Sequence, residues 1–235
     1  MSSSSIGLLN EKPLHADLKR LTALPGDRFE VPVDRFVVDI VRDDLLLEIQ
    51  TASFGAMRSK LRQLLKSHQV RLIYPLPVEK WIVTLPSGKS GETSRRKSPK
   101  RGRIEHAFIE LVSIPDLISN PNFSFEIVMT REEELRKPNR ARSWRRKNWR
   151  RVERQLVDIV ERRLFATPDD WRMLAPISLN GDFTTQDLAT EMNTERYLAQ
   201  KMAYCYAKSG LITQIGKQGR SWLYRWAESV TLTSA

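Results

Sequence analysis

Cysteine is nearly absent from this chain. Cys205 is the only one among 235 residues, which excludes an intrachain disulfide and any zinc site built on cysteines. Histidine is almost as scarce, and His15, His68 and His106 are too scattered for a metal triad. No apolar run approaches the roughly 20 residues needed to span a bilayer. The opening Met1-Ser2-Ser3-Ser4-Ser5 lacks the basic-then-apolar profile of a secretory signal. The phosphate loop G-x-x-x-x-G-K-[ST], the dinucleotide fingerprint G-x-G-x-x-G and the zinc-protease H-E-x-x-H are missing, as is the serine-hydrolase elbow. The expectation is a cytoplasmic protein with no membrane partner.

Positive charge is what the chain has in excess. The net charge is +11 and the isoelectric point near 10.0, which points to a polyanion such as nucleic acid, with a membrane surface as the competing anion. The excess is concentrated in two blocks. Residues 86–103 carry Lys89, Arg95, Arg96, Lys97, Lys100, Arg101 and Arg103 among Ser, Gly and Pro and read as a flexible basic loop. Residues 136–154 set Arg145, Arg146, Lys147, Arg150 and Arg151 beside Trp144 and Trp149. Cations next to aromatics can neutralise phosphates while a ring stacks on a base. From Val152 the spacing Val152-Leu156-Ile159-Val160 predicts an amphipathic helix, so 136–164 reads as an Arg/Trp-rich linker helix.

Two apolar runs, Phe36-Val37-Val38-Asp39-Ile40-Val41 and Leu45-Leu46-Leu47-Glu48-Ile49-Gln50, each carry a carboxylate near the middle. Burying an unpaired carboxylate costs several kcal/mol, roughly, or forces it to take up a proton. Two such burials within ten positions suggest a cation that satisfies both. If Asp43-Asp44 is a two-residue hairpin turn, Arg42 pairs with Leu45 and Asp39 faces Glu48. Gln50 then shares the face of Glu48, while Leu47 and Ile49 point the other way. Two carboxylates and the Ile49 carbonyl suit Mg²⁺, which takes oxygen ligands and keeps several waters.

Asp39 followed by Glu48-Ile49-Gln50 resembles the D…(D/E)-x-K signature of the PD-(D/E)xK nuclease superfamily. The expected element order over about the first 85 residues (helix, three strands, helix, strand) is that superfamily's core order. The resemblance implies a restriction endonuclease-like mixed sheet flanked by helices. It further implies a catalytic and metal set of Glu11, Asp39, Glu48 and the Ile49 carbonyl, holding Mg²⁺ or Mn²⁺. Glu11 is the candidate acid on the first helix. Gln50 stands where the family's lysine is usual, so it would orient the water without acting as a base. Lys60 and Lys80 are candidates to supply the missing ammonium from elsewhere, and His15 lies one turn beyond Glu11.

The last third changes character. Residues 182–189 offer a threonine N-cap and open a short helix, 192–194 make a turn, and 195–208 form a second helix stopped by Ser209-Gly210. Alternating runs at 211–215 and 221–226 then read as a hairpin. This order resembles a winged helix-turn-helix domain over 165–228. By position, the resemblance puts Arg196, Gln200 and Lys201 on the nucleic-acid-facing side of the second helix and Lys217 and Arg220 on the wing.

The chain therefore reads as α/β in class, with a nuclease-like domain at 1–135, the basic linker at 136–164 and a small winged-helix domain. The expected function is a metal-dependent endonuclease acting on duplex or branched DNA, with a homodimer as the assembly that would let it cut both strands. Two alternatives stand beside it: a nuclease-fold DNA-binding regulator that has lost catalysis, and a protein that binds structured RNA.

Overall fold

The computed structural model describes residues 12–86, 92–138 and 149–228. The chain opens with α1 (Pro13–Thr22), a helix begun by the proline at its first position, where a missing N–H costs nothing. Three strands follow: β1 (Arg28–Val33), β2 (Phe36–Arg42) and β3 (Leu45–Ile49). Next come α2 (Phe54–Leu64) and the long strand β4 (Gln69–Thr84). This is the expected order. After β5 (Ser94–Lys97), a 3-10 turn at Ile104–Ala107 leads into α3 (Phe108–Leu111), with a second turn at Pro115–Ser119. Two long strands, β6 (Phe123–Pro138) and β7 (Trp149–Phe165), close the sheet.

The large sheet is mixed, in the order β1-β2-β3-β4-β6-β7, with β5 paired to β4. The β3–β4 and β4–β6 pairs are parallel and the others antiparallel. The turn at Asp43-Asp44 is where the sequence places it, with Arg42 paired to Leu45 and Ile40 to Leu47; Asp43 takes a positive φ of 49°. One face of the sheet packs Leu46, Leu72, Phe125 and Ile127 on α2 and α3. The other face buries Leu14 and Leu18 of α1 against Ile40, Leu47, Ile49, Ile73 and Val128. A mixed α/β architecture with a large mixed sheet flanked by helices is thus observed.

Two expectations are corrected within this sheet. The predicted linker helix from Val152 is strand β7, antiparallel to β6. Its register skips Val152, Val157 and Val160, each an extra bulged residue, and each bulge shifts the period-two alternation by one. Leu156 and Ile159, three apart, consequently share the α1 face, a spacing that reads as helical. The bulges also blunt an exposed sheet edge. In the basic loop, residues 94–97 form β5, with Arg95 and Lys97 over the Trp81 ring at 4.8 and 5.3 Å. Residues 69–84 form one strand, carried through Pro75 and Pro77 with an irregularity between Pro77 and Glu79.

The C-terminal part comprises α4 (Pro168–Arg172), a 3-10 turn at Ile177–Leu179, the short strand β8 (Phe183–Thr184), α5 (Thr185–Glu191), α6 (Arg196–Lys208), and the strands β9 (Ile212–Gln218) and β10 (Ser221–Trp226). Its three-stranded sheet has the order β8-β10-β9. Thr184 caps α5, accepting from the Gln186 and Asp187 amides while Asp187 returns a bond to the Thr184 amide, a capping box with aspartate in the glutamate position. This part does not hang on a linker. One apolar cluster runs through both parts, and Trp171 packs between Phe165 (centroids 4.6 Å apart), Phe125 (5.8 Å) and Phe108 (5.9 Å).

Candidate functional site

The paired ladder between β2 and β3 ends at Ile40–Leu47, and Asp39 and Glu48 lie one step beyond it, where the strands part. In place of a backbone partner, the Ile49 amide donates to Asp39 Oδ2 at 2.8 Å. His15 on α1 brings Nε2 to 3.2 Å from the same oxygen. Glu48 sits on the opposite face from Leu47 and Ile49, toward α2, and is 2% exposed. There Lys60 reaches it, with Nζ 2.5 Å from Glu48 Oε1 and donating to the Val37 carbonyl at 2.6 Å.

The two carboxylates are in opposite electrostatic states. Burial works to raise the Asp39 carboxyl, but the hydrogen bond and charge of His15, the Ile49 amide and Lys19 hold it below the ordinary aspartate value. Burial pushes Glu48 up to about 7, and the negative charge of Asp39 adds to the rise against the opposing pull of Lys60. Glu48 Oε1 is fully buried and meets the Lys60 ammonium. Such a divergence between neighbouring carboxyls is a mark of acid–base or ion-binding sites.

Not every expected residue joins this cluster. Gln50 turns its amide nitrogen to the Ala52 carbonyl at 2.5 Å, bracing the turn into α2 in place of facing the carboxylates. Lys80 is engaged with Glu134 at 2.9 Å, which leaves Lys60 as the ammonium at the pair. Arg42, Arg58 and Arg71 do not neutralise Asp39 or Glu48: they bond Asp27, the Ser113 carbonyl, and Glu126 with Ser124. Glu11, Arg145, Arg146 and Lys147 lie outside the described residues. Among the described residues, no three His, Cys, Asp or Glu side chains cluster to hold an ion. Asp39 and Glu48 are both hard oxygen donors, and Glu48 Oε1 is buried with the Lys60 ammonium against it.

Two cationic surfaces accompany the pair. A cleft of about 570 Å³ runs along α2, with Arg35, Arg58, Arg62 and Lys66 around the small residues Gly55 and Ala56. On α6 and the hairpin, Arg196, Gln200, Lys217 and Arg220 are exposed and Lys201 is half-buried. None of Arg196, Lys201, Lys208, Lys217 and Arg220 has a carboxylate ion-pair partner among the described residues. Many sheet cations do have one, including Lys80, Arg95, Lys97, Arg131 and Arg154. Arg150 and Arg151 are exposed at the start of β7. Sequence reasoning passed over Lys208, Tyr204 and Trp222 on the α6–hairpin surface, although Arg196, Gln200, Tyr204 and Lys208 repeat at the four-residue spacing of one helix face.

The family model described as "Domain of unknown function (DUF8091)" matches residues 12–166, from the start of α1 to the end of β7. The chain belongs to this family. The DUF8091 segment thus contains the whole large sheet with Asp39, Glu48 and Lys60, and stops where the C-terminal part begins. An uncharacterized protein of Treponema pallidum (strain Nichols) is 29% identical over 222 residues, covering 94% of this chain and 87% of its own; that likeness extends through both parts. No solved structure matches the chain significantly. No helix among the described residues is long and apolar enough to cross a membrane.

Proposed function

We propose that this protein is a metal-dependent DNA endonuclease of the PD-(D/E)xK type, with a C-terminal winged helix that targets it. The observation that carries this reading is a set of two carboxylates in electrostatic reach of each other where β2 and β3 part: Asp39, bonded to the Ile49 amide, and the buried Glu48, approached by the Lys60 ammonium. Lys60 answers the departure at Gln50, because it supplies from α2 the positive charge that the family signature carries on β3. The element order from α1 to β4 and the β8-β10-β9 sheet around α5 and α6 are compatible with the two resemblances.

Asp39 and Glu48 would hold Mg²⁺ or Mn²⁺, with Glu11 as the further acid; when bound, the ion lowers the pKa of water and neutralises charge on the scissile phosphate. Asp39, held ionised, is the permanent anion of the pair. Glu48, titrating at about 7, is the group that changes protonation near neutral pH. With a cation held at Glu48, Lys60 would face a phosphate oxygen. The cleft along α2, with Arg35, Arg58 and Lys66 lacking carboxylate partners among the described residues, gives the phosphate backbone a path beside this helix.

A second reading, a DNA-binding protein that does not cleave, is favoured by the engagement of Gln50 with the Ala52 carbonyl. Calorimetric titration of Mn²⁺ into wild type and Asp39→Ala tests the choice. Uptake abolished by the substitution supports the nuclease reading, and equal uptake or none opposes it.

A further inference from the structure

Between α6 and the β9–β10 hairpin lies a groove of about 430 Å³ that duplex recognition does not require. One wall is a single face of α6, on which Arg196, Gln200, Tyr204 and Lys208 succeed one another at four-residue intervals. The other wall is the hairpin, which contributes Arg220 and Trp222. Tyr204 and Trp222 are each 46% exposed. Lys217 lies over the Trp222 ring at 4.5 Å, bracing that ring from the strand it pairs with.

Cations at the ends and two exposed aromatic rings between them form an arrangement suited to an unstacked base. Phosphates on either side meet the arginines and Lys208, the base meets the rings, and Gln200 offers both a donor and an acceptor to the base edge. A helix that reads only the edges of paired bases gains little from exposed aromatic rings, whereas stacking on a ring is open to every base because each has a π-face. The cations have no ion-pair partners among the described residues, which is the charge complement of a polyphosphate chain. We propose that this groove binds an unpaired nucleotide, so that the C-terminal part directs the protein to DNA carrying a single-stranded segment. The proposal rests on the reading that this part binds nucleic acid, and it names the substrate class.

The test is fluorescence anisotropy with the full chain in EDTA, using a blunt duplex, the same duplex with a single-stranded tail, and the tail alone. Wild type is expected to prefer the tailed duplex. Tyr204→Ala and Trp222→Ala are each expected to weaken its binding about 5- to 100-fold, with blunt-duplex affinity held within about twofold. Tyr204→Phe and Trp222→Phe, which keep a ring, should restore the preference and report that the fold is intact. Equal losses on blunt and tailed DNA, or none on either, would overturn the single-strand assignment while leaving nucleic-acid binding in place. Failure of wild type to bind any of the three would overturn both.

Discussion

Lys60 and Glu48 form an ion pair across the gap between α2 and β3, at 2.5 Å, with the glutamate almost wholly buried and the lysine anchored to the Val37 carbonyl. The partnership is strained by Asp39, whose charge opposes ionisation of Glu48. The folded protein therefore holds a carboxyl that is costly to ionise.

The first consequence is in stability against pH. In the folded protein Glu48 titrates at about 7 against an ordinary 4.5. Between those values the native state keeps a proton that the unfolded chain has released, so stability falls as pH rises from about 4.5 through about 7, then levels. The loss is on the order of 3 kcal/mol. Glu48→Gln should remove most of that slope and be the more stable protein at pH 8, measured by urea denaturation in EDTA across this range.

Removing the lysine should do the reverse. Lys60→Met leaves the buried carboxylate facing Asp39 alone, and breaking one side of a buried pair costs about 3–5 kcal/mol. The loss should be concentrated at pH 8. Combining Lys60→Met with Glu48→Gln should recover most of it; simple additivity of the two changes would show that the ion pair carries no coupling.

The aromatic junction predicts cooperative unfolding. Trp171 is 1% exposed and meets rings from β6, α3 and the end of β7. Trp171→Ala should cost about 3–5 kcal/mol and lower the melting of the sheet and the C-terminal part together. Two separate calorimetric transitions in wild type would contradict the shared core.

Gly102 fastens the end of the basic segment back to β4, beyond the β5 pairing. Its amide donates to the Pro77 carbonyl at 3.0 Å, and a Cβ there would press on that carbonyl oxygen and lie 2.5 Å from Leu76 Cδ2. Since the backbone oxygen has little freedom to yield, Gly102→Ala should destabilise by about 1–3 kcal/mol. It should also speed proteolysis within 94–103, readable by limited trypsin digestion at the arginines there.

The β2–β3 hairpin was legible in the sequence because its signals agree. An acidic pair capable of positive φ separates two runs whose alternation puts Leu47 and Ile49 on one face and Glu48 on the other. β7 was not legible, because three valine bulges turn its alternation into helical spacing. The Lys60–Glu48 contact joins residues on different elements, and sequence alone made Lys60 one candidate beside Lys80; the tertiary fold separates them, since Lys80 is held by Glu134. Tyr204 and Trp222 stand far apart in the sequence and carry no local pattern that joins them. They meet only because α6 and the hairpin face each other across a groove.

Whether the protein cleaves DNA is decided by incubating wild type and Asp39→Ala with supercoiled plasmid and branched DNA in Mg²⁺ or Mn²⁺ and following strand cleavage. Nicked or linear product is expected with wild type, disappearing on adding EDTA and absent with Asp39→Ala. DNA bound but left intact by wild type in both metals would contradict the nuclease reading.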